Sequence, residues 1–204
     1  NGGGSIVAMG GTGSGGSNGG QILSNGAGPQ SITFTAPGST IGLTAGTGNI
    51  LTPATSGNFA LIDTTVGNQI IAGSSSANDP GITIAGGASG GNTGFSTTNL
   101  GNFAFIRALL GTQQISAGAI QLDAGASGVD NSASIQSPAQ TITAFSVTID
   151  GGGASGTLAG ARIGGLGGST PGPTNLSLTT TGDITLTGGS VSGVGPAVKT
   201  PLRP

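Results

Sequence analysis

The segment Gly57-Asn58-Phe59-Ala60-Leu61-Ile62 returns as Gly101-Asn102-Phe103-Ala104-Phe105-Ile106, and each copy reaches a further glycine at the same distance, Gly67 and Gly111. A second unit, a strand followed by a glycine turn, occurs three times: ITIAGGASG ending at Gly90, IQLDAGASG ending at Gly128 and VTIDGGGASG ending at Gly156. No such unit can bury its apolar face alone, so repeats of this kind predict stacking of equivalent coils around a shared core. Gly-Asn pairs beginning at residues 48, 57, 67, 91 and 101 punctuate the chain about every ten residues.

Between these glycines the chain alternates apolar residues with Ser or Thr. Examples are Ser31-Ile32-Thr33-Phe34-Thr35, Gly81-Ile82-Thr83-Ile84, Thr141-Ile142-Thr143, Phe145-Ser146-Val147-Thr148-Ile149 and Asp183-Ile184-Thr185-Leu186-Thr187. Period-two alternation places the aliphatic side chains on one face of a strand and the hydroxyls on the other. Helix signals are nearly absent, because glycine interrupts every helical window and Glu does not occur. One patch, Phe103 to Leu110, is compatible with either a short helix or a strand. Forty-five glycines with many serines also fit a disordered chain. Disorder, however, pairs low hydrophobicity with high charge. This chain has 34% hydrophobic and only 5% charged residues, which favours ordered β-structure.

The expected fold is therefore all-β: a right-handed parallel β-solenoid, or β-helix. With a coil of about 20 residues it would have about ten coils and a length of about 50 Å. The alternative is a β-sandwich fibre subunit that polymerises by strand donation, with Ser5-Ile6-Val7-Ala8 as donor. Residues 1–20 read as a Gly-rich arm or connector, 21–195 as the solenoid and 196–204 as a Pro-containing tail. The first residues lack the basic and apolar regions of a secretory leader. No segment reaches the roughly 20 apolar residues of a membrane helix, so no membrane insertion is expected.

The strings NLSLTTTGDITLTGGSVSG (Asn175 to Gly193) and ITIAGGASGG (Ile82 to Gly91) resemble the repeats of filamentous-haemagglutinin-like exoproteins. Related repeats occur in autotransporter passengers. The resemblance is one of style across most of the chain and is sharpest near the C-terminus. It implies a right-handed parallel β-helix, export to the bacterial surface by two-partner secretion, and roles in adhesion, aggregation and biofilm formation. The family's secretion-domain string, of the NPNG type, does not occur here, so the resemblance implies a shaft segment.

Much chemistry is excluded by residue type. There is no His and no Cys, so Ser-His-Asp and Cys-His nucleophiles cannot be built, nor zinc sites that use those ligands. The acids are Asp63, Asp79, Asp123, Asp130, Asp150 and Asp183. A glycosidase needs two carboxyls about 5–9 Å apart. Asp123 and Asp150 hold equivalent places in the repeated unit, so they could stack on neighbouring coils. The competing reading is that an Asp after a strand caps a turn with its own side chain. Calcium would take carboxylates and carbonyls at turns, with Asp79 and Asp130-Asn131 as the turn-like candidates, but the GGxGxD pattern of calcium β-rolls is missing. The glycine runs Gly10 to Gly16 and Gly164 to Gly168 lack the GK[ST] ending of a phosphate loop.

Three Thr-x-Thr pairs, Thr33/Thr35, Thr141/Thr143 and Thr185/Thr187, could order water on a flat face; Thr is also simply a good outward strand residue. Asn49, Asn58, Asn68, Asn92 and Asn102 at repeated turns could adopt left-handed geometry or form amide ladders. No catalytic, cofactor or metal residue is assigned, and no enzyme activity is expected. The expected function is that of a secreted, extracellular structural protein: a self-associating fibre subunit or adhesin shaft. Its expected partners are copies of itself, end-to-end or lateral, and cell-surface or matrix glycans. With a net charge of -2, nucleic acid is not among them. The alternative is an ice- or glycan-binding solenoid with a Thr-rich flat face.

Overall fold

The computed structural model describes residues 3–13, 18–50, 57–92, 101–156, 159–165, 174–190 and 197–198. In chain order the strands are β1 (Ser5–Met9), β2 (Gly19–Ser24), β3 (Gln30–Phe34), β4 (Thr40–Thr44), β5 (Asn49–Ile50), β6 (Phe59–Thr64), β7 (Gln69–Gly73), β8 (Gly81–Ala85) and β9 (Gly91–Asn92). They continue as β10 (Phe103–Ala108), β11 (Thr112–Asp123), β12 (Ser132–Gln136), β13 (Ala139–Asp150), β14 (Gly160–Ile163), β15 (Asn175–Thr180), β16 (Ile184–Thr187) and β17 (Ala197–Val198). A single 3-10 turn spans Ser76–Asn78, and no α-helix occurs among the described residues. The Phe103 patch is a strand, β10, whose alternate residues pack on both faces.

The protein is all-β, and the pairing between its strands is parallel. A six-stranded sheet runs β2-β6-β10-β12-β14-β17. A nine-stranded sheet has two flanks. The first holds β3, β7, the leading halves of β11 and β13, and β15; the second holds β1, β4, β8, the trailing halves of β11 and β13, and β16. A two-stranded ladder, β5-β9, is extended by bridges from Gly91 to Val129 and from Val129 to Ser155. The chain visits the six-stranded sheet, the first flank and then the second flank, in that order, again and again.

A local break in alternation makes the corner between the flanks. In β13 Ala144 and Val147 are buried, while Phe145 and Ser146 between them both face outward. In β11 Gly118 and Ala119 do the same between buried Ala117 and Ile120. Two consecutive outward residues flip the period and turn the strand.

Like residues stack on like. One column of the core is Ile6, Ile41, Ile82, Ile120, Val147 and Ile184; the next is Ala8, Leu43, Ile84, Leu122, Ile149 and Leu186. From the six-stranded sheet come Ala60, Ala104, Ala133 and Ala161 beside Ile22, Ile62, Ile106, Ile135 and Ile163. Apart from Ile22, Ile184 and Leu186, which are exposed, these columns converge in one apolar cluster. The repeated hexapeptides lie directly in register, Phe59 on Phe103 through Ile62 on Ile106.

Three expectations are corrected. Neighbouring rungs are 26 to 44 residues apart in sequence, as their inter-rung bridges and side-chain bonds show, so a coil of about 20 residues and a count of about ten coils do not hold. Five rungs separate β1 from β16, about 24 Å, half the expected length. Ser5-Ile6-Val7-Ala8, the expected donor strand, pairs in parallel with β4 of its own chain. Residues 5–9, read as part of an arm, are thus a rung of the sheet. Of the tail, Ala197–Val198 pair with β14, and 199–204 lie outside the described residues.

Candidate functional surfaces

Two amide ladders run through the interior at right angles to the strands. Gln69 Nε2 donates to Gln30 Oε1 (2.7 Å), Gln113 Nε2 to Gln69 Oε1 (2.6 Å) and Gln140 Nε2 to Gln113 Oε1 (2.6 Å). All four glutamines are buried. Each buried amide needs partners on both sides, and stacking identical residues supplies them. The next rung carries Leu176 in place of a fifth glutamine, and Gln140 Oε1 has no partner among the described residues.

The second ladder is built on Asn18, Asn58, Asn102 and Asn131. Asn18 Nδ2 donates to Asn58 Oδ1 (3.3 Å) and Asn58 Nδ2 to Asn102 Oδ1 (3.2 Å). Asn102 Oδ1 also receives the Asn58 backbone N–H (3.1 Å), and Asn131 Oδ1 receives that of Asn102 (2.8 Å). The amide groups reach across to the glycine turns: Asn102 Nδ2 donates to Gly48 O (2.9 Å) and Ser89 O (3.0 Å), and Asn131 Nδ2 to Gly87 O (3.0 Å) and Ser127 O (2.8 Å). A Cβ at Gly87 would lie 2.5 Å from both Asn102 Cβ and Gly46 O. The turn is therefore glycine because the asparagine beneath occupies the space.

Of the asparagines expected at turns, Asn58 and Asn102 form this ladder. Asn68 instead accepts the Thr112 N–H through Oδ1 (2.9 Å). Asn49 and Asn92 sit one residue out of register in β5 and β9. None adopts left-handed geometry; among the described non-glycine residues only Asp130 does, at φ 57°.

Asp123 and Asp150 are brought together as register neighbours on adjacent rungs, facing outward on the second flank. Each has a local partner: Gln121 Nε2 donates to Asp123 Oδ2 (2.8 Å), and the Gly152 N–H donates to Asp150 Oδ1 (2.9 Å). Asp150 thus caps its own turn. Asp79 does likewise, accepting the Gly73 N–H through Oδ1 (2.9 Å). Among the described residues no group of three or more potential ligands gathers to hold a metal.

Burial raises the Asp123 pKa, the Gln121 hydrogen bond opposes this, and the Asp150 charge adds to it. A carboxyl whose pKa is raised on folding binds more protons folded than unfolded, so its contribution to stability falls as pH climbs from the ordinary aspartate range through the raised value. Asp123→Asn is expected to flatten that acid limb and to be neutral or slightly stabilising at pH 7. Thermal melts of both proteins between pH 3 and pH 7 check this; an unchanged pH slope would refute it.

The Thr pairs do not form one array. Thr141 lies between Gln114 and Ser177, and Thr143 between Ser116 and Thr179, all on the first flank. Thr185 lies on Thr148 and Thr187 on Asp150, on the second flank. Thr33 stacks on Ala72. Phe145, 64% exposed, stands at the corner between them.

One pair escaped the sequence reading. On the other face of β6 and β10, Arg107 clasps Asp63 through two bonds, Nε to Oδ1 (3.0 Å) and Nη2 to Oδ2 (2.6 Å), and its guanidinium lies 4.6 Å from the Phe105 ring centre. Phe59 and Phe103 stack beside it at 5.8 Å. The signal was present: Asp63 and Arg107 each follow the repeated hexapeptide directly. The glycine runs 10–16 and 164–168 fall partly outside the described residues, and no helix follows Gly13 or Gly165 among those described.

Compared with protein-family models, curated proteins and solved structures, the chain matches none.

Proposed function

We infer that the chain is a structural segment of an extracellular fibre or adhesin shaft, built as a right-handed parallel β-solenoid in which the two flanks and the six-stranded sheet are successive sides of each coil. The observation that carries this reading is the stacking of like on like: aliphatic columns and two amide ladders cross every rung they reach, while Asp79 and Asp150 are spent on turns. Right-handedness follows from the general preference of parallel crossover connections. The resemblance of Asn175–Gly193 and Ile82–Gly91 to haemagglutinin-like repeats supports a surface-exposed, secreted setting and an adhesive role without catalysis. Because one chain spans only about 24 Å from β1 to β16, a mechanical role requires copies or further coils in series.

Negative-stain electron microscopy of concentrated protein tests the reading. Filaments are the expected result; dispersed particles at every concentration would overturn self-association. A second reading, an ice- or glycan-binding surface, is favoured only by the hydroxyl patch Thr141, Thr143, Ser177 and Thr179, three rungs deep with Ser116. Thermal hysteresis and a glycan array are expected to show no signal; a clear signal in either would exchange the two readings.

A further inference from the structure

Three steps among the described residues join an asparagine or aspartate to a following glycine: Asn18-Gly19, Asn25-Gly26 and Asp150-Gly151. In such a step the glycine nitrogen sits where it can close a five-membered ring onto the preceding side-chain Cγ. Glycine leaves that nitrogen open to reaction, because it has no Cβ to crowd it.

Two of the three steps are tied down. At Asp150 the Gly151 N–H, the would-be nucleophile, donates to Thr187 O (2.9 Å), and Asp150 Oδ1 holds the Gly152 N–H (2.9 Å). At Asn18 the carboxamide nitrogen donates to Asn58 Oδ1 (3.3 Å), and the backbone carbonyl accepts the N–H groups of Gly11 (3.0 Å) and Phe59 (3.2 Å). Closing a ring there would break a bond of the asparagine ladder. Asn25 is held differently. It follows the last residue of β2 and opens the exposed turn 25–29 that leads to β3. Its Oδ1 receives Thr65 Oγ1 (3.2 Å), a bond that supports the negative charge arriving on that oxygen during attack at Cγ. Nδ2, the leaving nitrogen, and the Gly26 N–H, the nucleophile, make no hydrogen bond among the described residues. Asn18 and Asn25 flank one strand, β2, so they share whatever adjoins that rung, and their own bonds set them apart.

We propose that Asn25-Gly26 is a self-modification site, at which the folded chain slowly deamidates without an enzyme. The Gly26 nitrogen forms a bond to Asn25 Cγ, the Cγ–Nδ2 bond breaks, and the Gly26 proton leaves with Nδ2 as ammonia. The resulting succinimide takes up one water. Opening at one carbonyl gives aspartate; opening at the other gives isoaspartate, whose main chain runs through the side-chain carbon. Nothing is oxidised or reduced. Either product adds a negative charge to a chain of formal net charge -2, and isoaspartate also lengthens the turn between β2 and β3 by one backbone atom.

Purified chain held for days in warm, mildly alkaline buffer tests the site. Digestion and mass spectrometry, with aspartyl and isoaspartyl peptides separated, are expected to show Asn25 converting at least about tenfold faster than Asn18. In guanidinium chloride, which removes the fold, the two Asn-Gly steps are expected to convert at similar rates. Equal rates in the folded chain, or faster conversion at Asn18, would overturn the proposal. So would an intact Asn25 in the folded chain after a time that converts it in the denatured one. Gly26→Ala is expected to slow conversion at Asn25 at least about tenfold, since a Cβ then crowds the attacking nitrogen. The substitution is mild: a Cβ there meets nothing closer than Gly28 N at 4.0 Å, and Gly26 is not among the glycines with positive φ. A Gly26→Ala chain that is folded by circular dichroism and converts at the parent rate would equally refute attack by Gly26.

Discussion

Replacing Asn102 with alanine is expected to destabilise the fold by about 3–5 kcal/mol, because it strands several buried groups at once. Asn102 Oδ1 receives two donors from Asn58, and Asn102 Nδ2 supplies the carbonyls of Gly48 and Ser89. The side chain is fully buried, so water cannot take over these roles without opening the stack. Each unsatisfied group costs roughly 1–3 kcal/mol, and a domain of ordinary stability has about 5–15 kcal/mol in hand. Urea titration followed by circular dichroism measures the loss. Asn102→Asp is the informative companion: it keeps both acceptor bonds from Asn58 but loses the two donated by Nδ2. At pH 7 it also buries a carboxylate whose second oxygen faces the Gly48 and Ser89 carbonyls, so it should cost at least as much as the alanine variant. A shift of less than about 1 kcal/mol for Asn102→Ala would mean that the ladder does not hold the turns.

The second large effect is expected from Ile106→Ala, at about 2–5 kcal/mol. Ile106 is fully buried and lies between Ile62 and Ile135 in its column. Its neighbours on either side are held by their own ladder bonds and cannot slide inward to fill the space, which places the cost towards the upper part of that range. Ile106→Val, which removes a single methyl, should cost about 0.5–1.5 kcal/mol. Equal, small losses for both variants would show that the stack contracts around the gap.

The strands were legible because alternation of aliphatic and hydroxyl residues survives wherever one face is buried. Ser31–Phe34, Gly81–Ile84 and Ile184–Thr187 fall inside β3, β8 and β16. The pairing of the two Phe-containing repeats and of Asp123 with Asp150 was also readable, since equivalent positions in a stacked repeat become neighbours. Coil length was not. Gly-Asn punctuation marks the turns between the sides of a coil, so counting punctuation counts sides and shortens the apparent coil. Irregular insertions add to this, as the step from Gln69 to Gln113 is 44 residues and that from Gln113 to Gln140 only 27. The glutamine ladder was missed because buried glutamines read as polar strand ends. Aligning Gly67-Asn68-Gln69 with Gly111-Thr112-Gln113 would have exposed it. Asn131 was missed because it follows Val129-Asp130 rather than glycine.

The Asp63–Arg107 clasp has a consequence for how such a chain finds its own order. Isoleucine on isoleucine and alanine on alanine reward contact between any two layers almost equally, so the columns by themselves cannot tell the adjacent layer from the one beyond it. The clasp and the Phe59–Phe103 stack fall between β6 and β10, two successive rungs of the six-stranded sheet. They act as an address that marks this junction. Without it, the characteristic error of the chain would be a skipped layer looped out of an otherwise well-packed stack.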